Sequence, residues 1–120
     1  MSLTSSMEDY LKAILVLHQR HGNARCVDVA DYLGVSKPSV SRAVKELSKS
    51  GHIIKKDGTL YLTQQGRQYA EQICERYQFF TARLVDAGVD RKTAEHDACN
   101  IEHAISAEAF QKLKDSLGKK

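Results

Sequence analysis

Residues 27–51, VDVADYLGVSKPSVSRAVKELSKSG, constrain this chain more than any other stretch. Two short helical patterns meet there at a glycine. The first sets Val29, Ala30 and Leu33 on one side and stops at Gly34, where a backbone with φ > 0 suits glycine. Ser36 stands where a helix needs an N-cap, and Pro38 falls in the following first turn, where its missing N–H costs little. Val40, Val44 and Leu47 recur at helical spacing, so one stripe of the second helix packs inward. Pro38, Ser41, Arg42, Lys45 and Lys49 share the opposite side. An apolar back with a small, basic front is what a helix lying in a DNA major groove requires. A helix whose polar face merely meets water has the same periodicity, so the next segment decides.

Gly51 stops the second helix and HIIKKDGTLYLT follows at once. It alternates around Asp57-Gly58, a strong signal for a two-residue hairpin turn. A helix-turn-helix followed directly by a hairpin is a winged helix, with Lys55 and Lys56 beside the hairpin tip and in reach of flanking phosphates. The net charge of +3 is unevenly spread. Residues 36–56 hold six cations against Glu46 alone, whereas residues 71–120 hold eight Lys/Arg and nine Asp/Glu. The positive footprint is local to the proposed recognition surface.

At 120 residues and 42% hydrophobic, the chain holds one domain, or a small domain with a helical extension, and a core that is thin for a lone monomer. Disorder is expected only at Met1–Ser5 and Lys119-Lys120. The longest apolar run, Ala13–Leu17, is far too short to span a bilayer, and no secretory signal is visible. Cys26, Cys74 and Cys99 show no close pairing pattern, which fits thiols in a reducing cytoplasm, with burial expected for Cys26 and Cys74.

The helical patterns continue on either side of the wing. One helix is expected from Ser6 to Arg20, with Tyr10, Ile14 and Leu17 central to its apolar side. Thr63 caps a long helix over Gln64–Ala87; a shorter one spans Arg91–Ile105, and Ser106 caps a last one to Leu117. Tyr69, Ile73, Phe80 and Leu84 form the buried side of the long helix, and Ala70, Tyr77, Phe79 and Val85 widen it. That exceeds what one small domain needs, which points to a second copy of the chain and two recognition helices on a pseudo-palindromic site. The expected division is a winged-helix DNA-binding region at 1–65 and a helical region at 66–120 for metal binding and dimerisation.

Within Arg91–Ile105, Ala94, Ala98, Ile101 and Ile105 form a core stripe of about 60°. Glu95, Cys99, Glu102 and His103 lie along one border of it, where carboxylate, thiol and imidazole at i, i+3 and i+4 converge. Mixed O, N and S donors suit Fe(II), Mn(II), Zn(II) or Co(II) rather than Ca or Mg. A Glu–His surface pair beside a buried Cys uses the same residues.

Met7-Glu8-Asp9-Tyr10-Leu11, VSKPSVSRAVKEL, LTQQG and Cys99-x-x-Glu102-His103-x-x-Ser106 occur in one chain and in this order. That combination resembles the diphtheria-toxin-repressor family of metal-dependent transcriptional regulators, and in length its short manganese-responsive branch, which lacks an SH3-like domain. The resemblance implies metal ligands at Asp9, Cys99, Glu102 and His103. Asp9 is similar to the manganese branch and Cys99 to the iron branch. Lys12 stands where the manganese branch has a carboxylate, Tyr77 where both branches have a histidine, and Thr81 where there is a nearby carboxylate.

The expectation is therefore a mainly α, non-enzymatic, cytoplasmic homodimer that represses metal-homeostasis genes from a palindromic operator on double-stranded DNA. It makes no membrane contact and binds one Mn or Fe ion per chain, with Zn or Co also suited. Arg42 is the expected base reader, bidentate to a guanine. Ser36, Pro38, Ser39 and Ser41 shape its approach, and Lys37, Lys45, Lys49, Lys55 and Lys56 contact phosphates. One alternative keeps the winged helix but loses metal sensing, responding through Cys99 to a thiol oxidant or to a small organic ligand. A metal-dependent hydrolase is disfavoured, because no HExxH pairing or Gly-rich substrate loop accompanies Glu102 and His103.

Overall fold

Six helices and one hairpin account for the residues described by the computed structural model, 3–118. Their order is α1 (Ser5–His21), α2 (Cys26–Leu33), α3 (Lys37–Lys49), β1 (Ile53–Lys56), β2 (Thr59–Leu62), α4 (Gln64–Asp86), α5 (Arg91–Ala104) and α6 (Ala107–Gly118). Residues up to Gln72 form one compact unit and those from Ile73 a second, with α4 continuous across the division. No helix among the described residues is long and apolar enough to cross a membrane.

The first unit is built around the predicted stripes. Leu11, Ile14 and Leu15 of α1, Val29 of α2, Val40 and Leu47 of α3, and Ile53 and Leu60 of the hairpin are its buried centre. The α1 stripe is wider than Tyr10, Ile14 and Leu17 alone. On α3 the small Ala43 is buried while Val44 is only half-buried. Disorder was expected up to Ser5; instead Thr4 caps α1, its hydroxyl accepting from the Met7 N–H at 3.2 Å. The expectations for Met1, Ser2, Lys119 and Lys120 lie outside the described residues.

The hairpin pairs β1 and β2 antiparallel, with Ile53 opposite Leu62 and Lys56 opposite Thr59. Asp57 (φ 51°) and Gly58 (φ 80°) both take positive φ, as the two-residue turn demands of its central pair. His18 of α1 secures the wing by donating from Nε2 to the Leu60 carbonyl at 2.6 Å and stacking on Tyr61.

A hydrogen-bonded joint links the end of α3 to the start of α4. The Thr63 hydroxyl donates to the Gly51 carbonyl at 2.7 Å, the Thr63 N–H donates to the His52 carbonyl, and the Gly66 N–H returns to the Thr63 hydroxyl. Buried His52 completes it: the Ser50 hydroxyl donates to the Leu47 carbonyl and so accepts from His52 Nδ1–H at 2.7 Å. Gly66 is required because a Cβ there would overlap the His52 carbonyl. Backbone cannot swing aside as a flexible side chain does.

In the second unit Asp90 caps α5, accepting from the Thr93 N–H at 3.1 Å; hydrogen bonding from the Thr93 side chain first, and from its N–H, lowers the Asp90 carboxyl pKa. Ser106 caps α6 through the Ala109 N–H. Phe79, Phe80 and Phe110 form an aromatic cluster of mostly edge-to-face pairs. Tyr77, Phe79, Phe80, Leu84 and Val85 are only half-buried and Leu113 is exposed, so an apolar surplus remains on this unit. Cys26 and Cys74, expected to be buried, are half-buried, and none of the three cysteines is in a disulfide.

Two outcomes follow from the α3–α4 joint. Gly66→Ala should destabilise the protein by about 1–3 kcal/mol, read as a lowered denaturant midpoint at unchanged slope. Burial holds the His52 pKa below its ordinary 6.5, because the charged imidazolium is disfavoured out of water. The unfolded chain then binds the proton more readily, so His52 contributes stability above pH 6.5 that is lost as pH falls through its folded value. Urea unfolding from pH 7.5 down to about 5 should show this loss, and His52→Asn should flatten the slope; an unchanged slope would show that His52 does not titrate there.

Candidate functional site

One candidate surface lies wholly in the first unit. Gly34 ends α2, and the Val35 N–H returns to the Ala30 carbonyl at 3.0 Å, turning the chain sharply into α3. Ser36 caps α3 by accepting from the Ser39 N–H at 3.2 Å, with Pro38 in the first turn. Ser36, Lys37, Pro38, Ser41, Arg42, Lys45 and Lys49 are all exposed. Ser39 differs: it is half-buried, and its hydroxyl meets both Ser36 Oγ at 2.9 Å and the Arg42 guanidinium at 3.4 Å. It is placed to steer Arg42. Lys55 and Lys56 are exposed at the end of β1, beside the hairpin turn. A convex basic helix flanked by a basic hairpin offers charge to a polyanion and donors to base edges.

The second candidate is carried by α5 in the second unit. Ala94 and Ala98 are fully buried, as the core stripe predicts, but Ile101 and Ile105 are half-buried. Glu102, expected at the border of that stripe, is instead fully buried within it. Ala94 and Ala98 demand little space, so α5 packs closely on the side where Glu102 is buried. The Cys99 thiol, the Glu102 carboxylate and a His103 ring nitrogen lie within 4.8 Å of one another, and His103 Nε2 is 3.5 Å from Glu102 Oε1. Glu95 does not join them; it lies 4.0 Å from Arg91 on the surface, and His96 is exposed beside Asp97. Asp9 stands half-buried on α1 in the first unit, next to buried Glu8.

Whether these residues fit a metal is decided by Glu102. A carboxylate withdrawn from water needs compensating positive charge or hydrogen bonds, and a thiol and an imidazole are the donors a divalent transition ion takes up beside it. The set fits Mn(II) or Fe(II). On α4, Tyr77 is half-buried, and Thr81 is buried with its hydroxyl oxygen lacking a hydrogen-bond partner among the described residues. The reading of the sequence missed Arg76, whose Nη1 donates to the carbonyls of Glu102 and Ile105. A cation on the helix preceding a donor-bearing helix was its only signal, and spacing alone does not show which way it points.

Residues 2–58 match the iron dependent repressor N-terminal DNA binding domain, and residues 63–120 match the iron dependent repressor metal binding and dimerisation domain. An HTH-type transcriptional regulator MntR of Listeria monocytogenes serotype 4a (strain HCC23) is 36% identical over 113 residues, which is 93% of this chain and 80% of that protein. T. acidophilum IdeR superposes with a TM-score of 0.76 at 27% identity, over 98% of this chain and 55% of that one. A manganese-dependent transcriptional repressor in complex with manganese gives 0.83 at 25% identity, over 95% and 53%. With both family domains matched and the helix-turn-helix, wing and α5 donors in place, the chain belongs to the iron dependent repressor family.

Proposed function

We propose that this metal-responsive DNA-binding repressor works as a homodimer on a palindromic operator, with one divalent ion, Mn(II) or Fe(II), as co-effector of each chain. The observation that carries the proposal is the buried Glu102 carboxylate held with Cys99 and His103, in the domain that matches metal binding and dimerisation. Asp9 is the fourth donor in this reading, a half-buried carboxylate on α1. The function is binding rather than catalysis, and its place is the cytoplasm, where operator DNA and reduced thiols meet.

The bound ion supplies charge that ties donors on separate helices together. Glu102 and His103 anchor the set from α5, Cys99 adds a softer donor, and Asp9 brings in α1. Tighter binding of an ion to one dimer form would be a population shift toward fixed spacing of the two α3 helices. Lys12, Tyr77 and Thr81 support a single ion, since none is a carboxylate or imidazole available for a second. On the DNA side, Arg42 reads a guanine and Ser39 steers it. Ser36, Pro38 and Ser41 shape the approach, while Lys37, Lys45, Lys49, Lys55 and Lys56 hold phosphates.

In operator titrations, Arg42→Ala should cost about 1–3 kcal/mol at the cognate site and relax preference at one base pair, while Lys55→Ala should weaken all sequences alike and lower the salt slope by about 1. Unchanged sequence preference in Arg42→Ala would remove it as the reader. Equilibrium dialysis with Mn(II) should give one ion per chain. His103→Ala should abolish uptake, and Lys12→Glu should raise Mn(II) affinity by exchanging a cation for a carboxylate. Two ions per wild-type chain would refute the single-ion site, and none would refute metal control.

A further inference from the structure

α5 ends among its own donors. Cys99, Glu102 and His103 occupy its last turns, and the helix stops at Ala104. The final carbonyls of a helix lack intrahelical N–H partners and form the negative end of its dipole. Here α4 answers two of them: Arg76 Nη1 donates to the Glu102 carbonyl at 3.2 Å and to the Ile105 carbonyl at 3.1 Å. The guanidinium also lies 5.7 Å from the Phe110 ring centre, so α6 contributes a cation–π contact. Its Nε is buried with no hydrogen-bond partner among the described residues. A guanidinium that leaves a buried donor unsatisfied is held for its other contacts and is not a solvated surface charge.

The geometry points to Arg76 as a positioning residue for the metal centre, an assignment that rests on the metal reading above. The carbonyl it grips belongs to Glu102 itself, whose side chain is the buried donor and whose neighbour carries the imidazole. Two gripped carbonyls three residues apart, Glu102 and Ile105, set both the height and the rotation of that turn. Releasing them frees the Cα atoms from which the carboxylate and the imidazole project. Groups that orient metal ligands in this way are worth ~10–100-fold in metal affinity. A merely structural Arg76 would support α4 against α5 and α6 without affecting how the donors meet an ion.

Co(II) separates the two roles, because its thiolate charge-transfer and d–d bands report the number and arrangement of donors while a titration gives affinity. The full-length chain is compared with Arg76→Met, Arg76→Lys and Lys114→Met at a temperature well below every Tm. Lys114 is a control: it lies 4.9 Å from the same Phe110 ring and pairs with Glu75 at 2.9 Å, and its ammonium makes those contacts from α6. Arg76→Met should bind Co(II) ~10–100-fold more weakly with altered d–d intensity. Arg76→Lys should fall between it and wild type, and Lys114→Met should bind as wild type does. Wild-type affinity and spectrum in Arg76→Met would overturn the assignment, as would an equal loss in Lys114→Met. If Arg76→Met does not fold, Arg76→Lys decides: weakened binding with a changed spectrum supports the assignment, and wild-type behaviour overturns it. A wild-type chain that takes up no Co(II) would overturn the metal reading and Arg76 with it, whereas unaltered binding in the variant overturns Arg76 alone.

Discussion

A carboxylate taken wholly out of water must be answered by positive charge or by hydrogen bonds, and the second unit is organised around that requirement at Glu102. Alanines at 94 and 98 let α5 seat deeply enough to bury the side chain. His103 places its ring 3.5 Å away, Cys99 adds a thiol, and Arg76 grips the backbone of Glu102 from α4. A leucine at 102 would pack without any of this apparatus. A buried carboxyl group suits a site that takes up a cation, because the low-dielectric surroundings strengthen the attraction of its ionised form to an ion.

The first unit answers a different constraint. Its recognition helix must present cations outward while being rigidly held from behind, and the holding is local and polar as well as apolar. Leu47, Ser50, Gly51 and His52 at the end of α3 are hydrogen-bonded among themselves and to Thr63, with Gly66 packed against the His52 backbone. The helix that begins at this joint is α4, which is continuous into the second unit. The end of α3 is thereby fixed to the first turn of α4.

Much of this was legible beforehand because it rests on local chemistry. Helix periodicity, Ser36 and Thr63 as caps, and Asp57-Gly58 as a turn depend on neighbours within a few residues, and the observed elements agree with them to within a residue or so. The donor set on α5 was legible for the same reason, since i, i+3 and i+4 share a helix face whatever surrounds them. Burial was less legible. Glu102 reads as a border residue on a helical wheel, and Cys26 and Cys74 read as core, because the wheel does not show how deeply a helix sits or which neighbour covers it.

The amino-acid sequence by itself thus determined the winged helix-turn-helix, the basic face of α3 with the hairpin lysines, and the nature of the α5 donors. Short-range sterics, hydrogen bonding and charge decide all three. Only the tertiary structure decided that Glu102 is buried, that Gly66 exists to admit the His52 carbonyl, that Ser39 meets Arg42, and that Arg76 reaches the end of α5. Most of these depend on groups far apart in the chain, or on how side chains settle once the helices are packed. Their distances are set by packing, which no local pattern encodes.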